Sequence, residues 1–301
     1  MTDSMTREPA RLQPPVTRAK LARRAGAAGV VQGVRHVLLL VVVGVALYPV
    51  LWMVVSSLRP DGHIFGNPSL VLDTFDLSNY TRGWNALAQP FGWYLLNSGI
   101  IVVGAIVGNL ISCSMAAYAF ARLRFRFQRP AFAIMLVTIM LPIHVVIVPQ
   151  YVLFAQLGMV NSFWPLILPK FLAVDAFFTF LMVQFIRGLP RELDDAARID
   201  GAGHATIFLK VLLPLMRPAL ATTAIFTFIW TWNDFFSQLV YLTDPSLYTV
   251  PVALRSFVDA QSESSFGALF AMSVVSIVPL VVAFAVGQRY LIRGIATTGG
   301  K

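Results

Sequence analysis

Six apolar runs, each about twenty residues long, dominate this chain: 37–55, 99–121, 131–155, 163–186, 218–242 and 266–288. Crossing the hydrocarbon core of a bilayer takes roughly 20 apolar residues of helix. In lipid every backbone polar group needs an internal partner, so such runs fold as helices. The chain therefore reads as an all-α polytopic membrane protein with six transmembrane helices. The rest of the composition agrees. Of 301 residues, 57% are hydrophobic and only 12% charged, about half the charged share of a soluble domain. Mean hydropathy is +0.72. The first run is longer than a signal-peptide core and no small-residue cleavage site follows it, so it is expected to stay as an anchor.

The net charge of +9 does not point to nucleic acid, because the basic residues sit just outside the apolar runs. Alternating six spans sorts the connections into two sets. Nineteen lysines and arginines fall on one side, and only Arg59, Arg82 and Arg255 on the other. The positive-inside rule then places both termini in the cytoplasm. The outer loops become 58–91, 156–162 and 243–265. Residues 1–35 read as a basic cytoplasmic tail, mostly disordered, with a short helix near Arg18–Arg24. Residues 36–295 form the transmembrane domain and 296–301 a short tail. The one cysteine, Cys113, cannot make an internal disulfide and implies no oxidising compartment.

Inside the spans, polar residues carry the information. Asp175 falls near the middle of the fourth run, and Asn233 and Asp234 inside the fifth. A charge at the bilayer centre costs ~3 kcal/mol on insertion scales, so it faces a polar cavity or a partner. Two readings stand: a solute path lined by Asp175, Asn233, Asp234, His144 and Gln238, or hydrogen bonds that hold the bundle together. His144, standing alone, leans to the second. Lys170, five residues before Asp175, is not expected to pair with it, because side chains so spaced diverge on a helix. Prolines at 49, 142, 149, 169 and 279 predict kinks.

The sequence holds no phosphate-cradling Gly-x-x-x-x-Gly-Lys-Ser/Thr, no zinc-protease motif and no nucleophile elbow. No catalytic, metal-binding or cofactor-binding residue is assigned. An ion-driven secondary transporter is the competing class. Its repeated halves are not evident between residues 36–155 and 163–290.

The connection between the fourth and fifth runs mixes five basic with four acidic residues, as a folded element would. Pro190 suits a first helical turn. Glu192, Asp194 and Asp195 follow near the positive end of the helix. Ala196 and Ala197 keep its surface thin, and Gly201 ends it as a left-handed cap. A second short helix is expected over 204–209. This loop, about 188–214, resembles the EAA motif of binding-protein-dependent ABC importer permeases: EAA, three residues, Gly, nine residues, I-x-L-P. Asp195-Ala196-Ala197 fills the first block, with Asp for Glu. Gly201 fills the second, and Val211-Leu212-Leu213-Pro214 the third, with Val for Ile.

Further landmarks resemble the sugar-transporting branch of that family, its MalG-like half. They are Ser57-Leu58-Arg59-Pro60, Asn79-Tyr80, Asn97-Ser98, the stretch 116–122, Trp232-Asn233-Asp234-Phe235 and Gln288-Arg289-Tyr290. The resemblance covers about residues 36–295. It implies the type I ABC importer permease fold and a carbohydrate as solute. It also implies a MalF-like second permease, two ATPase subunits that bind the ATP, and an extracytoplasmic solute-binding protein. Asp195, Ala196, Ala197, Gly201, Val211, Leu213 and Pro214 would then meet the ATPase.

Overall fold

In the computed structural model residues 18–66, 69–72, 74–259 and 265–296 are described, and every regular element among them is helical. The backbone divides into two compact units, Met1–Trp52 and Met53–Lys301. Of the expected tails, residues 1–17 and 297–301 lie outside the described residues. In the first unit, helix α1 (Arg18–Ser56) begins and carries most of its length. It is unbroken from Arg18, where the sequence suggested only a short helix near Arg18–Arg24 ahead of the first span. Its stretch Gln32–Ser56 is apolar enough to cross a membrane. Every side chain from 32 to 50 is exposed, so in water this surface would be left bare.

The second unit is built around α3 (Phe91–Arg122), preceded by α2 (Ser78–Asn85). Next come α4 (Gln128–Thr138), α5 (Ile143–Gln156), α6 (Trp164–Ile167), a 3₁₀ turn over Leu168–Leu172, and α7 (Ala176–Arg187). Helix α8 (Glu192–Ile199) precedes a continuous segment, His204–Leu215, made of α9 (His204–Thr206), a π-helical stretch Ile207–Leu212 and α10 (Leu213–Leu215). The chain ends in α11 (Arg217–Asn233), α12 (Phe236–Tyr241), α13 (Val250–Asp259) and α14 (Phe266–Ala296).

Helix α3 packs against α7, α11 and the 3₁₀ turn, and α14 packs against α11, α2 and α13. Glycines allow the tightest approach. A Cβ at Gly108 would stand 2.9 Å from the Lys170 Cβ, and one at Gly104 2.9 Å from the Ile167 Cδ1. Small residues spaced by four let backbones close up where lipid gives no hydrophobic drive.

The third expected span is bent, and a second bend lies just ahead of the fifth. The third is α4 and α5, which meet at 104°. Pro142 caps α5 in an extended conformation at that break, so the proline starts a helix and does not merely kink one. The segment His204–Leu215 meets α11 at 74°. The fifth run itself stops at Asn233, and Asp234 is extended at φ −70°, ψ 102° before α12. Asp234 therefore lies at a helix break and not inside a helix. The fourth run breaks too, where Ala173 is left-handed at φ 55° and Asp175 caps α7. The connections 58–91 and 243–265 are also more than loops, since they contain α2 and α13. The buried face of α13, with Val250, Ala253 and Phe257, packs into a core shared with Tyr94, Trp232 and Met272. At its approach the Asn161 Oδ1 accepts the N–H groups of Thr243 and Asp244.

Candidate functional site

The loop that carries α8 is anchored by one buried pair. Asp194, in the first turn, faces inward, and its Oδ2 lies 2.7 Å from Nε of Arg122, the last residue of α3. Both side chains are about 95% covered (3% and 5% exposed). The Arg122 Nη2 also donates to the Leu189 carbonyl at 2.9 Å. Leu189 and Ala197 pack against a core that includes Met182, Ile186 and Leu212. Burial of the α8 inner face thus sets its position against α3 and α7.

The outer face is left free. Asp195, Ala196 and Ile199 are exposed, and Ile199 at 87% is the most exposed large hydrophobic among the described residues. Asp195 forms an exposed ion pair with Arg198 at 3.0 Å. Ala197 is half-buried and turned inward, so the two alanines do not share one face. Gly201 adopts φ +80°. The Gly201 N–H bonds the Arg198 carbonyl and the Ala202 N–H the Ala197 carbonyl, each at 2.9 Å. This is the glycine-capped ending that the sequence predicts. Val211 and Leu213 are half-buried and Pro214 exposed. Pro214 has no N–H to return to the preceding turn and stands just before the 74° bend.

The second polar feature is a cavity of about 740 Å³, lined by residues that include Gln150, Lys170, Asp175, Trp230, Asp234 and Ser237. Both intramembrane carboxylates reach it, each from a helix break. Non-helical backbone at membrane depth is tolerated where it is buried in protein or lines a cavity. Against the sequence expectation, Lys170 does pair with Asp175: Nζ lies 2.8 Å from Oδ2. Side chains five residues apart diverge only on one continuous helix, whereas here the 3₁₀ turn and the left-handed Ala173 fold the chain back between the two. The Asn109 Nδ2 on α3 donates to the same Oδ2 at 2.7 Å and to the Thr227 Oγ1 at 3.1 Å.

Asn233 and His144 are not among the lining residues. Asn233 is exposed and its Nδ2 donates to the Ile229 carbonyl at 2.7 Å. The His144 ring lies 4.8 Å from that of Phe236. Gln238 is buried and donates to the Thr231 carbonyl at 3.0 Å, while its Oε1 accepts from Thr249, so it joins the bundle itself. Sequence reasoning missed Gln150 and Ser237 as lining residues, and Arg122 and Ile199 in the α8 region. Arg122 was visible as a charge ending an apolar run, but only its burial gives it a role. Among the described residues no group of acidic, histidine and cysteine side chains has metal-site geometry.

Comparison with known proteins agrees with this architecture. Residues 108–297 match the family described as binding-protein-dependent transport system inner membrane component. The chain is 32% identical over 285 residues to the diacetylchitobiose uptake system permease protein NgcG of Streptomyces coelicolor, covering 94% of each chain. It is 35% identical over 260 residues to the arabinooligosaccharides transport system permease protein AraQ of Halalkalibacterium halodurans, covering 85% of this chain and 92% of the relative. A bacterial ABC transporter involved in the import of the acidic polysaccharide alginate has a chain that superposes with a TM-score of 0.76 at 26% identity, over 92% of this chain and 99% of that one. An importer of this family combines permease, ATPase and solute-binding components. The chain belongs to the binding-protein-dependent transport system inner membrane component family: it is a multi-pass inner-membrane permease subunit of an ABC importer, a transport component and not an enzyme.

Proposed function

We propose that this subunit forms half of the translocation path of a sugar or oligosaccharide importer and takes its power stroke through α8. The relatives whose names mention diacetylchitobiose and arabinooligosaccharides support a carbohydrate as solute. The other half of the path is a MalF-like permease. Two ATPase subunits bind the ATP, an extracytoplasmic binding protein delivers the solute, and both termini lie in the cytoplasm. Asp195, Ala196, Ala197, Gly201, Val211, Leu213 and Pro214 shape the ATPase-facing element, with Ile199 added to them.

One observation carries the reading: α8 is clamped to α3 by the buried Arg122–Asp194 pair while Asp195, Ala196 and Ile199 stay exposed. An element fixed on one side and bare on the other transmits force from a docked partner. On the solute side, Asp175 and Asp234 offer carboxylate acceptors to hydroxyl groups from the cavity wall. Asn233 and His144, exposed beside the helix breaks, extend that polar set toward the second permease. Uptake of labelled oligosaccharide into vesicles holding the reconstituted complex tests the proposal. Uptake is expected only with ATP and all partner chains. Uptake by this chain alone, driven by an ion gradient, would instead establish the secondary-transporter class.

A further inference from the structure

The connection between α3 and α4 is five residues long, Leu123-Arg124-Phe125-Arg126-Phe127. Arg124, Phe125, Arg126 and Phe127 are exposed, as are Arg129 at the start of α4 and Arg187 at the end of α7. None of these four arginines forms an ion pair among the described residues. The two phenylalanines are 43% and 65% exposed. Phe127 adopts φ 66°, a left-handed conformation that a bulky residue takes only when its surroundings impose it.

These groups form one patch. The Phe125 ring lies 5.8 Å from that of Phe120, which lies 5.5 Å from that of Phe132. The Arg187 guanidinium sits 5.0 Å over the Phe132 ring, and that of Arg126 5.0 Å over Phe127. Arg187 therefore joins the loop through a shared aromatic cluster, at the end of the bundle where Arg122 holds α8.

Depth decides what such a patch meets. Five residues span at most ~18 Å fully extended, and both ends of this loop enter membrane helices. A connection this short, directly following an apolar helix, stays close to the headgroup layer. Exposed phenylalanine at that depth is at home against the acyl boundary. Arginine presents a planar fork of donors that matches a phosphate. We propose that Arg124, Arg126, Arg129 and Arg187, with Phe125 and Phe127, form a binding site for the headgroup of an anionic phospholipid. The arginines hold the phosphate, and the two rings enter the boundary between headgroups and acyl chains.

The test uses the purified importer complex in phosphatidylcholine vesicles with rising phosphatidylglycerol. Two variants are compared: Arg124→Gln/Arg126→Gln/Arg129→Gln, and Phe125→Ser/Phe127→Asn, which keeps every positive charge and so preserves insertion. Wild type is expected to retain phosphatidylglycerol through purification and to gain ATP-driven uptake as its fraction rises. Each lost arginine should weaken retention by about fivefold, and the phenylalanine variant should lose part of it. Equal retention and equal lipid dependence in all three proteins overturn the proposal. So does a triple variant that keeps its lipid but sheds the ATPase, since the arginines would then face that subunit. Inorganic phosphate added to pure phosphatidylcholine vesicles should not reproduce the gain, and if it does, the site takes a free anion and the lipid proposal falls.

Discussion

Arg122, the last residue of α3, holds Asp194, in the first turn of α8, across 2.7 Å in surroundings that leave both side chains nearly dry. Thirteen residues back along the same helix, Asn109 holds Asp175 at the cavity wall. A single unbroken helix thus touches both polar features of the subunit, and any displacement of α8 that moves α3 reaches Asp175.

Breaking the buried pair should be costly. Asp194→Asn or Arg122→Gln leaves the other charge uncompensated, a loss of about 3–5 kcal/mol in comparable sites. Either substitution is expected to lower the thermal unfolding midpoint of the subunit in detergent by a clear margin. The double variant should recover part of it, because neither buried charge then remains. Equal melting of all four proteins would mean the pair does not hold α8.

The two cavity carboxylates should behave differently. Asp175 is bonded to Lys170 and Asn109, so Asp175→Asn is expected to lower both stability and uptake. Asp234 accepts only the Ser237 N–H among the described residues, at 3.0 Å. Asp234→Asn keeps an acceptor for that bond and should reduce uptake with little change in melting. Unfolding curves and initial uptake rates on the same preparations separate the two.

Close packing of α3 gives a sharper structural prediction. Gly108→Ala places a Cβ 2.9 Å from both the Lys170 Cβ and the Phe171 Cδ2, an overpacking expected to cost about 1–3 kcal/mol. Gly99→Ala, on the same helix with nothing within 4 Å, should be neutral or slightly stabilising, since alanine is the better helix former. Comparable losses at both positions would contradict the packing described.

Orientation is tested by labelling sealed cells with an impermeant maleimide. Cysteine at the exposed Thr243 should react from outside and cysteine at the exposed Thr206 should not. The native Cys113 is buried and should give little background. Reaction at Thr206 would invert the topology.

Much of this arrangement was legible because membrane folding is governed by local hydrophobicity. The apolar runs fall on four helices long enough to cross a membrane and on two bent helix pairs that make six if each pair is one span, and Pro190 and Gly201 bracketed α8 within two residues of its ends. Other features depend on three-dimensional context that periodicity does not carry. The break at Ala173 has no glycine or asparagine to announce a left-handed residue, so Lys170 and Asp175 read as diverging when they are paired. The two adjacent aspartates at 194 and 195 look equivalent in sequence, yet one is buried against Arg122 and the other exposed. The same is true of Ala196 and Ala197. Which of two neighbours faces inward was set by where α3 ends, a tertiary fact.

The docking role of α8 is tested most directly by co-purification of the ATPase with Ile199→Asp permease, alongside ATP-driven uptake. Ile199 is 87% exposed, so the substitution should leave insertion and melting of the subunit unchanged. In the docked complex it buries a carboxylate without a partner, at about 1–3 kcal/mol or more. Co-purification of the ATPase is expected to fall about tenfold or more, and uptake with it. Wild-type recovery of the ATPase together with wild-type uptake would show that this face of α8 is not where the ATPase binds.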